Sequence, residues 1–303
     1  MMKQLAAVLI SVLLSLGGAF ALADAELYYN WDGEFPETPQ LEYHAYAVQP
    51  NQPDGDALAG AVWPELKWTQ TSDADGSLYV LEAEDNSLRG CREFLQVEPG
   101  HVLYSRSMTE FPDVESIGGP EAAYQQAYDF ASGVLPEDAL AYPLPVYQGS
   151  DEEGNLLDSF YEITWLQEVE PGVYGANALV SMTVYPGYIN YLSYNPYTWQ
   201  PVEDAAELDY ISAEQALASL NYVATHIDPE HTCTTFDDPA DEIVHIYPAL
   251  TDIFGEPGRA TLSWAFLIKD ARLGYTHTVW VDAVSGDVYD DHDGRLAGVI
   301  VSA

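Results

Sequence analysis

The densest group of side chains that could do chemistry lies near the end of the chain, at Asp290, Asp291, His292 and Asp293. Carboxylate oxygens are the ligands that hard cations prefer, so the three aspartates are candidate metal ligands, with calcium as the candidate ion. A charge run of this kind is also typical of a solvated turn, which needs no metal. We keep Asp290, Asp291 and Asp293 as the metal candidates, and the solvated turn as the preferred interpretation.

A second stretch, from Thr71 to Gly76, partly follows the pattern of a calcium-binding loop, with Glu82 at the twelfth position. However, Thr71 stands where such a loop has its first aspartate, and both flanks alternate like strands instead of forming helices. An Asp-Gly hairpin is therefore the preferred interpretation.

Imidazole and thiolate ligands for zinc could come from His226, His231 and Cys233, but a tetrahedral site needs a fourth ligand and firmer spacing. Ordinary surface histidines after a helix explain the same residues.

Cys233 and Cys91 are the only cysteines, and outside the cytosol they could form one disulfide or stay as two buried thiols. Both states of the cysteines stay open, and no cofactor is predicted.

The motifs of the common hydrolases and nucleotide-binding proteins are missing. The chain has no His-Glu-x-x-His, no Gly-x-Ser-x-Gly, no Ser-x-x-Lys and no phosphate-binding glycine loop. Two carboxylates at the right separation could still hydrolyse a glycosidic bond, but among 49 acidic residues no pair is singled out. We therefore predict a protein that is not an enzyme, with no catalytic and no cofactor-binding residues.

The net charge of the chain argues against nucleic acid as a partner. The chain has 9 basic and 49 acidic residues, which gives a net charge of −40. Such a surface repels nucleic acid and anionic lipid, and favours cations or basic partners. Acidic residues scattered along the whole chain also keep an exported protein soluble, so the charge by itself names no ligand.

The first residues indicate export from the cell. Met1, Met2 and Lys3 precede an apolar run from Leu5 to Ala23, which ends in small residues. This is the pattern of a secretory signal peptide, cleaved after Ala23 or after residue 25. We predict that residues 1–25 are removed and that the product is secreted, extracellular or cell-wall associated. No second long apolar run follows, so we expect no membrane insertion after cleavage.

Two helices and many short strands are expected to position these residues. Ser212 and Gln215 form a capping box before an apolar stripe at helical spacing. Pro120 suits the first turn of a second helix, which Gly133 can end. Most of the remaining chain alternates or is rich in aromatic and β-branched residues between glycine, proline and aspartate turns, which predicts antiparallel strands.

The helices and strands repeat along the chain. Trp165 and Trp264 lie 99 residues apart, and each belongs to a strand that follows a helix and precedes a strand pair. A third, degenerate copy includes the strand, Pro-Gly turn and strand from Phe94 to Leu103. The sequence therefore predicts an α+β fold that is β-rich overall and made of tandem small units, each with one helix packed on an antiparallel β-sheet. The predicted units span residues 26–115, 116–205 and 206–303.

Two stretches resemble a known family. Tyr210 to Leu217 and Tyr275 to Val288 together resemble the PepSY domain, with its Ser-Ala-Glu helix start and its Asp-Ala, Ser-Gly hairpin. The layout of Phe160 to Ala218 is similar to the YcdB/YcdC repeated domain of exported bacterial proteins. Tyr185-Pro186-Gly187 stands where the Asp-Ala hairpin would be, so the middle unit departs from the pattern. The resemblance implies non-catalytic modules that accompany secreted peptidases or the cell envelope.

These observations predict a secreted, non-catalytic interaction module of tandem PepSY-like units that binds or modulates a secreted peptidase or an envelope protein. One alternative is an acidic envelope protein that responds to calcium or other cations. A second alternative is a hydrolase that uses a pair of acidic residues.

Overall fold

The computed structural model describes residues 29–72, 76–81, 92–107, 116–150, 156–203, 205–206, 208–226, 242–269, 276–290 and 294–296. The helices within these ranges are α1 Gly55–Val62, α2 Pro120–Val134, α3 Ala213–His226 and the 3-10 helix Glu137–Leu140. None of the helices in these ranges is both long and apolar enough to span a lipid bilayer.

The strands in the same ranges form two sheets of nine strands each. Numbered along the chain, the strands are β1 Tyr46–Pro50, β2 Trp68–Ser72, β3 Ser77–Leu81, β4 Arg92–Glu98, β5 His101–Ser107, β6 Tyr142–Pro143, β7 Tyr147–Ser150, β8 Leu156–Leu166, β9 Glu168–Glu170, β10 Val173–Gly175, β11 Val180–Tyr185, β12 Tyr188–Tyr194, β13 Tyr197–Pro201, β14 Glu242–Thr251, β15 Arg259–Lys269, β16 Thr276–Asp282, β17 Val288–Asp290 and β18 Gly294–Leu296. The first sheet has the order β2-β3-β4-β5-β12-β11-β8-β6, with β7 beside β8. The second has the order β18-β17-β16-β15-β14-β10-β9, and β1 joins it by pairing with β13 and β15.

The first sheet buries one face beneath helices α1 and α2. Its strands alternate, so that every second side chain of β8 points to the helices, and Trp165 is fully buried there. Three alanines spaced four apart on α2, Ala123, Ala127 and Ala131, are also fully buried. Small side chains on one helical stripe let the helix lie close to the large aromatic residues of the sheet.

The start of helix α2 is fixed by one carboxylate from β8. Gly118 and Gly119 have φ angles of 98° and 99°, a region that favours glycine. Their N–H groups donate to Asp158 at 3.2 and 2.9 Å, and the Tyr161 hydroxyl donates to it at 2.6 Å. Hydrogen bonds from the Ser116 and Tyr161 hydroxyls and from these N–H groups lower the pKa of Asp158 to about 2.

The second sheet is covered by helix α3, and its central strand β15 is buried on both faces. The predicted capping box is confirmed: Gln215 N–H donates to the Ser212 hydroxyl at 3.2 Å, and Ser212 N–H donates to the Gln215 side chain at 2.8 Å. Beneath the helix, the Trp264 indole N–H donates to the Ile211 carbonyl at 2.9 Å. This bond ties the entry of α3 to the middle of the sheet.

The prediction of tandem units, each with its own helix and sheet, is wrong. Strands from residues 68–107 and 142–194 form one continuous sheet, because β5 pairs with β12 across the expected boundary at residue 115. Four strands that lie before residue 205, namely β1, β9, β10 and β13, belong instead with the C-terminal strands. Alternation along a strand indicates which face is buried but not which strand lies beside it. The residue ranges of the three units stay a prediction.

An irregular segment before β1 lies on the core of the second sheet. Tyr29 is 1% exposed, and Trp31, Phe35 and Leu41 pack against the same core. The side chain of Asn221 on helix α3 binds the backbone of Tyr29 in both directions: it accepts from Tyr29 N–H at 2.6 Å and donates to Tyr29 C=O at 3.0 Å. Asn221 therefore holds the segment as a neighbouring strand would.

We predict that Asn221→Ala lowers the free energy of unfolding by about 1–3 kcal/mol, because it leaves the buried backbone groups of Tyr29 without these partners. Urea denaturation measures the change. Glu214→Gln, at an exposed position of the same helix, is the control and should stay within about 0.5 kcal/mol of the wild type. Equal stability of the two variants would contradict the structural role of Asn221.

Candidate ligand-binding groove

A groove of about 540 Å³ lies between β9 and the two-stranded ribbon that β1 forms with β13. Its carboxylates are Glu42, Glu168 and Glu170. Its aromatic side chains are Tyr43, Tyr46, Tyr197 and Trp199. The remaining lining residues are neutral, so the groove combines fixed negative charge with aromatic surface.

Both walls of the groove are anchored on the second sheet. The ribbon pairs Val48 with Trp199, and β1 continues onto β15 through the pairing of Tyr46 with Ala260. The other wall, β9, is held by β10, which pairs in parallel with β14. A Cβ at Gly175 of β10 would lie 2.7 Å from the Trp199 ring, so the missing side chain of this glycine makes room for the tryptophan.

Gln167 connects the wall formed by β9 to the wall formed by β13. Gln167, immediately before β9, donates to the Tyr197 carbonyl at 3.1 Å and accepts from the Trp199 indole N–H at 2.9 Å. Its amide therefore holds β9 and β13 at a fixed spacing, because both ends of the amide are engaged with the same strand.

Glu170 is held by three donors from the opposite wall. The backbone N–H groups of Glu42 and Tyr43 donate to it at 3.0 and 3.4 Å, and the Tyr46 hydroxyl donates to it as well. The Glu170 carboxylate therefore ties β9 to the chain segment that leads into β1.

Glu168 is fixed in a similar way. It accepts from Gly172 N–H at 2.7 Å and from the Tyr142 hydroxyl. The hydrogen bond to Glu168 raises the pKa of Tyr142, since the phenol must stay protonated in order to donate.

Pairs of a tyrosine hydroxyl and a carboxylate recur through the structure. Outside the groove, Tyr79 donates to Asp56 at 3.0 Å and Tyr104 to Glu93 at 3.2 Å. Among the described residues, the ion pairs are Arg106 with Glu93 at 3.2 Å, and the exposed pair of Arg259 and Glu256 at 4.0 Å. With so few basic residues in the chain, neutral hydroxyls take the place of cations as partners of carboxylates.

His44, which follows the groove residue Tyr43 in the chain, is paired with a tyrosine. His44 Nδ1 is 2.8 Å from the Tyr210 hydroxyl. Burial, with the charges of Glu170 and Asp282, raises the pKa of Tyr210 to about 12. Tyr210 therefore stays neutral, and it suits a structural hydrogen bond better than proton transfer.

The residues proposed from sequence do not meet at this groove. Asp290 ends β17, while Asp291 and Asp293 lie outside the described residues. His226 ends helix α3, and His231 is likewise outside the described residues, as are Cys91 and Cys233, so the disulfide question stays open. Within the described ranges, no three His, Cys, Asp or Glu side chains are grouped so that they could hold a metal ion.

The Thr71–Gly76 stretch lies partly outside the described ranges, at residues 73–75. On either side, Ser72 pairs with Ser77 and Thr71 with Leu78 in antiparallel register. This pairing confirms the hairpin interpretation of the flanks, because a calcium loop between helices would not place the two sides in one ladder.

The groove residues were missed by sequence reasoning because they come together only in the folded chain. Glu42 and Glu170 lie 128 positions apart in sequence, yet the backbone of one binds the side chain of the other. The only local signal is the cluster Gln167 to Glu170, which has no motif that separates it from other acidic stretches.

The fold and the groove define a β-rich protein with two sheets and a groove lined by acidic and aromatic side chains. No protein-family model and no curated protein matches the chain. Among solved structures, the C-terminal domain of Bacillus megaterium YpeB is similar at 15% identity, with a TM-score of 0.41, and the match covers 79% of this chain and 98% of that domain. A likeness at this level establishes neither family nor function, and the PepSY and YcdB/YcdC resemblances stay predictions.

We predict that the protein loses stability between about pH 10 and pH 12. Burial, with Asp158 as its partner, raises the pKa of Tyr161 to about 12, and the pKa of Tyr210 is raised to the same value. A group whose pKa is higher in the folded state contributes stability that is complete below its unfolded pKa, near 10, and is lost as the pH passes its folded pKa. Urea midpoints measured from pH 8 to pH 12 check the direction.

Tyr161→Phe is the diagnostic variant for this prediction, because phenylalanine cannot ionise. It should be less stable than the wild type at pH 7, where Asp158 loses one donor, and its stability should fall less between pH 10 and pH 12. A parallel loss in both proteins would show that Tyr161 does not cause the alkaline transition.

Proposed function

We propose that this protein is a secreted, non-catalytic recognition protein that binds a cationic segment of a partner protein in the groove. The observation that carries the proposal is the lining of the groove: three glutamates and four aromatic side chains, with no lysine, arginine or histidine among the lining residues. A secreted peptidase or an envelope protein with exposed lysine or arginine residues is the class of partner that we propose.

The chemistry of the groove favours a cation. Lysine and arginine side chains form charge-assisted hydrogen bonds with carboxylates, and they also lie over the faces of tyrosine and tryptophan rings. Glu168 and Glu170 lie on the β9 wall, and the four rings lie on the opposite wall together with Glu42, so a basic side chain between the walls would meet both kinds of partner. The net charge of −40 adds a long-range field that draws basic partners toward the protein.

Binding also fits the groove better than hydrolysis does. A hydrolase with two carboxylates needs one of them as a protonated acid and the other as a free base or nucleophile. The oxygens of Glu168 and Glu170 instead accept hydrogen bonds from Gly172 N–H, Glu42 N–H and tyrosine hydroxyls. Both carboxylates are thus engaged in hydrogen bonds that hold the walls of the groove, so we propose no catalytic residue.

Glu42 is the carboxylate best placed to meet a ligand directly, because its side chain is exposed at the rim of the groove. The negative charge of the Glu42 carboxylate raises the pKa of the adjacent Tyr43. Substitution of Glu42 therefore tests binding without removing a buried support of the fold.

We predict that Glu42→Gln weakens the binding of a short lysine-rich peptide about 2- to 5-fold, the range expected for one solvent-exposed ion pair. Calorimetry or fluorescence anisotropy measures the dissociation constant. Glu121→Gln removes the same charge at an exposed position of helix α2 and should leave the affinity unchanged.

The same peptide with acetylated lysines is the control for charge, since it keeps the length and backbone of the ligand. We expect it to bind at least about tenfold more weakly, because several charge contacts are lost together. Equal binding of both peptides, or equal effects of Glu42→Gln and Glu121→Gln, would refute recognition of a cation in the groove.

A further inference from the structure

The groove contains a strand edge that faces the ligand space. In the described part of the chain, β13 pairs with β1 and with no other strand. Val202 N–H donates to the Ala45 carbonyl at 3.0 Å, and Asn51 N–H donates to the Pro196 carbonyl at 2.9 Å. In an antiparallel ladder, residues that bond to the neighbour alternate with residues that point away from it. The even-numbered residues from 196 to 202 therefore bond to β1.

It follows that the backbone groups of Tyr197 and Trp199 point away from β1. The bond from the Gln167 amide to the Tyr197 carbonyl confirms this direction, because Gln167 lines the groove. Pro201 closes this edge at its end, since proline has no N–H to offer a further strand. Strand β13 has five residues, or about 17 Å of edge at roughly 3.3 Å per residue.

Gln167 occupies a position that a strand partner would use. Its Nε2 supplies a donor to the Tyr197 carbonyl, as the backbone N–H of an added strand would. Its Oε1 is engaged with the Trp199 indole and not with the backbone of that residue. The Gln167 amide thus satisfies the Tyr197 carbonyl when no ligand strand is bound.

We propose that the cationic segment binds as an added β-strand along the edge of β13, with backbone hydrogen bonds to Tyr197 and Trp199. This inference rests on the proposed function and adds the mode of binding to it. An extended segment places alternate side chains on opposite faces. Lysine or arginine at every second position would therefore meet the groove carboxylates together, while the backbone supplies affinity that does not depend on the other side chains.

Backbone methylation tests this mode with the wild-type protein. The probes are a lysine-rich peptide and two versions of it, each N-methylated at one set of alternate residues. Methylation keeps the charge but removes the N–H donors on one edge of the ligand strand. We expect one methylated version to bind at least about tenfold more weakly and the other to stay within about twofold of the parent peptide.

The outcomes separate the mode of binding from the function. If both methylated versions bind as tightly as the parent, strand addition is wrong although the groove still recognises cations. If both bind equally weakly, no single edge of the ligand is used, and strand addition is wrong as well. If the parent peptide itself does not bind, the proposed function fails first.

Gln167→Ala supplies an independent prediction, because it removes the side chain that competes for the Tyr197 carbonyl. We expect the parent peptide to bind about 3- to 10-fold more tightly to this variant, the effect of about one hydrogen bond. The version methylated on the pairing edge should gain less. Weaker binding of the parent peptide by a variant that retains the wild-type melting temperature would show that Gln167 recognises the ligand instead of blocking the edge.

Discussion

The hydrogen bond from a tyrosine hydroxyl to a carboxylate is the interaction on which the rest of this structure depends. The chain has 49 acidic residues, 9 basic residues and 22 tyrosines, so few carboxylates can form an ion pair. The hydroxyls of Tyr46, Tyr142 and Tyr161 instead fix carboxylates at the groove walls and at the start of helix α2. A neutral donor satisfies the carboxylate without cancelling its charge, so the protein keeps its acidic field and still orders its acidic side chains.

The groove exists because the second sheet is extended by strands that leave it in different places. Strand β1 joins one end of β15 and carries β13 outward, while β10 joins β14 and carries β9. The space between the two extensions is bridged by Gln167 and lined by acidic and aromatic side chains. Tyr46 belongs to the core beneath helix α3, and Trp199 packs against that core, so part of the groove lining is held by the packing under the helix. Glu42 is exposed at the rim, where a substitution need not disturb that packing.

Features of the fold that are set by residues close together in the sequence could be predicted, and contacts between residues far apart in the sequence could not. The capping box at Ser212 and the helix that starts at Pro120 are set by residues within one turn, and both are present in the structure. Trp165 and Trp264 mark strands that the sequence places after a helix, and in the structure both side chains are fully buried beneath a helix. These local features suggested separate units, but alternation does not say that β5 will pair with β12. The groove joins residues more than a hundred positions apart, so single-sequence reasoning could not assemble it.

The use of neutral donors has a consequence for how the protein responds to ionic strength. Added salt screens charges, so it should reduce the repulsion among the many surface carboxylates while leaving the bonds from tyrosine hydroxyls largely intact. The attraction between the acidic groove and a basic ligand is screened by the same ions. A high salt concentration should therefore stabilise the folded state while it weakens the affinity for a basic partner.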